Sequence, residues 1–195
     1  VDEVSSTSAP AVVTQPANAG GTSVAVPLFI TTSSLPDGFA GAAYSTTLQA
    51  IGGTPSGIAT APYSWSISAG VLPAGLTLNP TTGEISGAPA AAGTASITFD
   101  VFDSSSPQRT NHRTLSLTVQ KGNQTITVTT PAPATAVYNT SFPVAATASS
   151  GLPVAITTSG VCSGSGSGSA TITMTSGTGT CTVHYNQAGD ANYNA

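Results

Sequence analysis

Charge is what this sequence has least of. Aspartate, glutamate, lysine and arginine together make up 5% of its 195 residues, where a soluble domain usually carries about 25%. Lys121, Arg109 and Arg113 are its only lysine and arginines, and the net charge is −4. A nucleic-acid partner needs a basic patch to meet its phosphates, and so few cations cannot build one. Adsorption to an anionic membrane surface is excluded on the same ground. Long apolar runs are missing as well. None approaches the roughly 20 residues that span a bilayer, so membrane insertion is not expected. No stretch keeps a helical period over a useful length. Cysteine is scarce, with only Cys162 and Cys181. A zinc site needs four ligands, and no further Cys or His pair is spaced to complete one. Val1-Asp2-Glu3 is not a basic leader start and no apolar leader core follows it. The chain therefore reads as a mature product or as a piece of something longer.

Serine, threonine, glycine and alanine fill the space that charge leaves. Such short, uncharged side chains suit tightly paired strands whose outer faces carry hydroxyls. Solubility achieved this way, with one lysine to attract proteases, points outside the cell. The two cysteines each end a strand-like run. In an oxidising compartment they pair; the alternative is two buried thiols. A bond between them would close a loop of about 20 residues and stabilise by about 3 kcal/mol in the chain-entropy model.

Along the chain, residues 1–22 read as an arm or linker rich in Ser, Thr, Ala and Pro. The run TSVAVPLFITTSS follows as a candidate strand, with Pro27 restricting it to an edge or a strand start. From Tyr44 the two-residue alternation is plain. Tyr44, Leu48 and Ala50 share one face; Trp65, Ile67 and Ala69 alternate with serines; Ala95, Ile97, Phe99 and Val101 alternate with polar residues; Leu115, Leu117 and Val119 do the same. Trp65 and Phe99 are expected to supply the bulk of a core that also takes Ile67, Val101 and Leu117. The Gly- and Pro-rich stretch LPAGLTLNPTTGEISGAP reads as a hairpin: Leu76 and Leu78 point inward, Asn79 to Gly83 turn the chain, and Ile85 points inward on the return.

A second block begins after Gln120-Lys121-Gly122-Asn123. It predicts Ile126 and Val128 inward, then Phe142, Val144, Ala146 and Ala148, then Ile172 and Met174, then Cys181, Val183 and Tyr185. Short alternating strands separated by Gly, Pro and Ser predict an all-β chain of two tandem antiparallel β-sandwiches, at 23–120 and 121–195.

Residues 35–119 resemble the Ig-like family of bacterial surface proteins related to cadherin-like modules. LPDGFAGAAYSTTLQAIGGTP, PYSWSISAGVLPAGLTLNPTTGEISGAP, AGTASITFDVFDSSSP and LSLTV carry the resemblance. Ser56 to Ala61 departs from it as an insertion, a loop that offers a contact point. The second block resembles another bacterial Ig-like repeat through QTITV, ATASSGLPVAITTSG and GTGTCTVHYNQAGDANYNA. Its cysteine-bearing variant places cysteines as Cys162 and Cys181 stand here. In such repeats a final strand follows NYNA, and this sequence stops at Ala195, so the expected module lacks its closing strand. Two explanations are open: the strand lies beyond the cut, or a neighbour supplies it. For the second, Val24, Val26, Leu28 and Ile30 form a possible donor strand, together with the apolar Ala11-Val12-Val13.

Chemistry is thin. His112 and His184 sit at outward or loop positions, and no nucleophile elbow accompanies the serines. Asp100 and Asp103, with Glu84, Asp37 or Asp190, raise calcium, which needs six to eight oxygens that sparse carboxylates do not offer. Ser163 to Ser169 (SGSGSGS) lacks the lysine and helix of a phosphate loop and reads as a flexible tip. Lys121 lies in the linker, away from any core where an isopeptide crosslink would form. Tyr138, Tyr185 and Tyr193 are scattered, and a glycan site would lie in the 56–61 insertion or around Tyr193. The expected protein is a non-enzymatic extracellular structural protein without a cofactor. It would be a stalk, surface repeat or filament subunit whose partners are copies of itself or neighbouring Ig-like modules. An adhesin segment binding glycan or protein through loops is the alternative.

Overall fold

The computed structural model describes residues 27–53 and 63–195. Val24, Val26 and the 56–61 insertion lie outside them. Within the described residues every regular element is a strand, because alternation of period two is the only periodicity the sequence offers. The first block holds β1 (Phe29–Ile30), β2 (Gly38–Phe39), β3 (Tyr44–Thr47), β4 (Ala50–Ile51), β5 (Ser64–Ala69), β6 (Leu76–Leu78), β7 (Glu84–Gly87), β8 (Gly93–Phe102) and β9 (Thr110–Gln120). The second holds β10 (Ile126–Thr130), β11 (Ser141–Ala148), β12 (Ala155–Gly160), β13 (Cys162–Ser163), β14 (Gly166–Ser167), β15 (Ser169–Met174) and β16 (Cys181–Asn186). The fold is an all-β sandwich.

In the first block one sheet runs β2-β9-β8-β5 and another β3-β7-β6, with β1 and β4 as a short pair. The ladders are antiparallel except where Gly38 and Phe39 join β9 in parallel. Long β8 and β9 pair from Gly93↔Val119 to Phe102↔Thr110. Their inward residues Ile97, Phe99, Val101 and Leu117 are fully buried, and Trp65 is nearly so. The stretch around Asn79 is the hairpin its turn residues predict, with Leu78 opposite Ile85. Asn79 Oδ1 accepts from the amides of Thr81 at 2.9 Å and Thr82 at 3.1 Å, an Asx turn that holds the corner. Ile85, on the return strand, has no exposed surface.

Three expectations need correction here. Ala69 is exposed, not inward: a bulge between Ile67 and Ala69 inserts one residue and reverses the parity beyond it. Ile67, next to that bulge, is only half-buried. Leu28 and Ile30, considered as donor-strand residues, are buried in this chain's own core. Ile30 sits on β1 beside β4. Exposing both to serve a neighbour would remove two large aliphatic side chains from a packed interior, a cost of several kcal/mol.

The second block is one sheet in the order β10-β11-β15-β14-β12-β16, with β13 on β15. Its main core cluster is small: Val144, Ile156, Cys162, Ile172 and Met174. Phe142 and Val183, expected in that core, pack against it half-buried. Cys162 and Cys181 are joined in a disulfide that ties β16 to β13.

Candidate functional site

Two places in the structure bear on what the chain does, and neither is a catalytic pocket. The first is the junction between the blocks. After β16 the chain turns back through Gln187 to Ala195. Asp190 Oδ1 accepts from the amides of Asn192 at 2.7 Å and Tyr193 at 2.8 Å, which fixes this turn. The turn then docks on the segment leaving β9. The Gly122 amide donates to the Asn192 carbonyl at 2.8 Å, and the Asn194 amide donates to the Gly122 carbonyl at 2.9 Å. This makes a parallel bridge between Gly122 and Tyr193. Asn192 also reaches the first block, where its Oδ1 accepts from the Ala92 amide at 3.0 Å. Asn194 Nδ2 donates to Asn123 Oδ1 at 2.9 Å.

Glycine is required where the Tyr193 ring seats. A Cβ on Gly122 would stand 2.3 Å from the Ala40 carbonyl oxygen, and one on Gly41 would stand 2.6 Å from the Tyr193 hydroxyl. A cleft of about 430 Å³ remains beside the joint, between Phe39, Asn123, Ser149 and Tyr193. Sequence reading missed this clamp. Its only signals were the turn-forming Asp190 and Asn192, and nothing in a linear string says which surface a turn will meet.

The second place is the free edge of the second block. Ile126 pairs with Ala148 and Val128 with Ala146. Both alanines are buried, and directly paired residues share a face, so Ile126 and Val128 point to the inner side as the alternation predicts. They are nevertheless 37% and 42% exposed. The expectation that they are core is corrected: the face is right and the described residues cover it only in part. At the other end of the sheet, Tyr185 lies opposite buried Ile156, which sets Cys181, Val183 and Tyr185 on the inner face of β16. All three are half-buried. Nothing among the described residues pairs with the outer edge of β16. A cleft of about 280 Å³ separates the 132–136 segment after β10 from Gly179 to Cys181. The Tyr185 hydroxyl is buried without a hydrogen-bond partner among the described residues. We expect Tyr185→Phe to leave the melting temperature of this block unchanged or slightly raised, because it removes an unsatisfied polar atom; a differential scanning calorimetry trace checks this.

The remaining candidates are dispersed. His112 is exposed on β9 opposite Asp100, and His184 is exposed with its Nε2 2.8 Å from Ser159 Oγ. Asp100 accepts from Ser68, Glu84 from Ser45 and Asp37 from Gln120. Asp103 is buried at the end of β8. Its Oδ1 accepts from Ser105 Oγ at 2.6 Å and from the amides of Arg109 at 2.8 Å and Ser105 at 3.2 Å. Among the described residues no three His, Cys, Asp or Glu side chains gather as metal ligands. No helix among them is long and apolar enough to cross a membrane.

Residues 26–120 match the family model described as "Putative Ig domain". The match takes in 95 of the 195 residues. The match thus runs along the first block, from just before β1 to the end of β9. No curated protein matches the chain. Among solved structures it is similar to protocadherin gamma B2 extracellular cadherin domains 3–6, at 17% identity over 78% of this chain and 44% of that one, with a TM-score of 0.40. Mouse cadherin-23 EC22–24 is similar at 19% identity over 76% of this chain and 54% of that one, with a TM-score of 0.38. A Bacteroides fragilis protein described as a "putative alpha-galactosidase/melibiase" is similar at 18% identity, over 47% of this chain and 17% of that one, with a TM-score of 0.39. The chain thus spans about half or less of each neighbour's own length.

Proposed function

We propose that this chain is a non-enzymatic, extracellular structural segment: Ig-like modules held end to end as part of a bacterial stalk, surface repeat or filament, assembled head to tail by strand addition. The hydrogen-bonded junction carries the reading. A mobile linker would leave Gly122 and Asn192 to water, whereas here both are paired and the Tyr193 ring seats against Gly41 and Gly122, where a Cβ would clash. A joint built this way transmits force and direction along a rod. The disulfide and the Ig-like module fit an oxidising, extracellular setting. Low charge lets hydroxyl-rich faces approach one another without desolvating ions. No cofactor is called for.

Negative-stain electron microscopy of the oxidised chain tests the reading. Straight two-module rods joined in series are expected; single rods would rule out the head-to-tail assembly, and beads at random angles would rule out the stalk or filament reading itself. Asn192→Ala should loosen the joint. It removes the acceptor of the Ala92 amide, at a cost of about 1 kcal/mol. Small-angle scattering should then show a broader distance distribution, with the melting of each block little changed.

A further inference from the structure

We propose that the open inner face between β10 and β16 accepts one β-strand from a second copy of this chain, and that the strand is Ala11 to Thr14. This rests on the head-to-tail reading above and names the parts that would perform it.

The acceptor is defined by a mismatch between register and burial. Ile126 and Val128 face inward by their pairing with Ala148 and Ala146, yet the described residues cover them only in part. Val183 and Tyr185 on β16 are inward and half-covered. The two ends of the sheet come together: Gln124, just before β10, donates to Gln187, just after β16, at 2.6 Å, and Tyr185 packs against Ala146 and Ala148, the partners of Val128 and Ile126. Among the described residues nothing pairs with the outer edge of β16, whose backbone groups can take a ladder. One added strand with alternating small apolar side chains would pair with that edge and cover the four side chains together. Neither β10 (ITVTT) nor β16 (CTVHYN) carries a carboxylate, lysine or arginine. The groove therefore asks for an uncharged occupant.

The N-terminal segment of a second copy answers that requirement. Between Glu3 and Asp37 there is no charged residue, so any part of it can be buried without desolvating an ion. Within it Leu28 and Ile30 are already used by their own core, which moves the donor upstream. Ala11-Val12-Val13-Thr14 is the apolar run there, with Pro10 at a strand start, where its missing N–H does no harm. Ala11 and Val13 would face the groove. The chain from Thr14 to Leu28 contains Pro16, Gly20 and Gly21 and can extend to about 45 Å, enough to reach a neighbour. Donor and acceptor surfaces differ, so the contact is heterologous and propagates as an open chain.

Sedimentation velocity on the full chain tests this with two charge-insertion variants, Val13→Asp and Val128→Asp. Val128 is exposed in the free protein, so Val128→Asp should fold; circular dichroism checks that it does. The wild type should show a concentration-dependent series of oligomers. Each variant alone should sediment as a monomer. An equimolar mixture should stop at a dimer, because the arm of Val128→Asp still fits the intact groove of Val13→Asp while the reciprocal pairing is blocked. Val13→Ile should assemble as the wild type does. A Val13→Asp chain that assembles like the wild type would overturn the strand assignment and leave head-to-tail association standing. A wild type that stays monomeric, including one whose own arm fills its own groove, would overturn the inference while the rod seen by microscopy remains. Random-angle beads in the micrographs would remove the underlying reading itself.

Discussion

Reducing the Cys162–Cys181 disulfide is expected to unfold residues 121–195 well before the Ig-like module. The bond closes a 19-residue separation, for which the chain-entropy model assigns about 3 kcal/mol. That is a large share of what a block this small can hold, since stability runs at roughly 0.05–0.15 kcal/mol per residue. The main core cluster has few members, and Cys162 is one of them. Among the described residues strand β16 pairs only with β12 and nothing takes its other edge, so the covalent tie to β13 is its main second anchor. The first block contains no cysteine and keeps its own core of Phe99, Ile97, Val101, Leu117 and Trp65. Trp65 is the only tryptophan, so its fluorescence reports on that block alone. Thermal melts with and without reductant, followed by far-ultraviolet circular dichroism and by Trp65 emission, separate the two. An early circular-dichroism transition appears with reductant while the Trp65 midpoint holds. Coincident, unshifted transitions would show that the bond adds no stability. The same shift should follow Cys162→Ser with Cys181→Ser in the absence of reductant.

Asp103→Ala should destabilise the Ig-like module by about 3 kcal/mol, and here Trp65 emission is the readout that moves. Asp103 is 2% exposed. Alanine would strand the amides of Ser105 and Arg109, which now donate to Oδ1, and would leave the Ser105 hydroxyl only the Pro107 carbonyl. Buried groups left unpaired cost about 1–3 kcal/mol apiece, less where water can enter. The loop they organise also holds Arg109, whose guanidinium donates to the Gly53 carbonyl across the chain. The wild type should show the matching pH dependence. Burial by itself raises the Asp103 pKa, but the hydrogen bonds from Ser105 and the Arg109 amide, with the Arg109 charge, outweigh it and hold the carboxyl below its usual range. A depressed folded-state pKa favours the folded chain wherever the carboxylate is ionised. The contribution is complete above the ordinary carboxylate value of about 4 and is lost as pH falls through the folded value. Urea titrations from pH 6 down to pH 2 should therefore show Asp103→Ala losing less stability than the wild type. Parallel losses would mean that Asp103 titrates as it does in the unfolded chain.

The strands, their faces and the hairpin at Asn79 were determined by the sequence alone, because they are local. Side-chain direction in a strand alternates whatever lies beyond it, so Phe99, Val101 and Leu117 could be assigned to one side by counting. An Asn-Pro-Thr-Thr-Gly corner turns by its own backbone and side-chain bonds. What covers a face is not local. Ile126 and Val128 have the right parity and only part of a cover, because cover comes from strands distant in the chain. Parity itself failed at Ala69, where a bulge added one residue. Leu28 and Ile30 could be read as spare until their own core was seen to hold them. The junction was the least legible feature. In the sequence Asp190 stands among sparse carboxylates and Tyr193 among scattered tyrosines, and only the tertiary structure decides that their turn meets Gly122, Gly41 and Ala92. Such a contact depends on shape at two remote surfaces, with backbone groups as partners on one side, and a backbone amide is the same in every sequence.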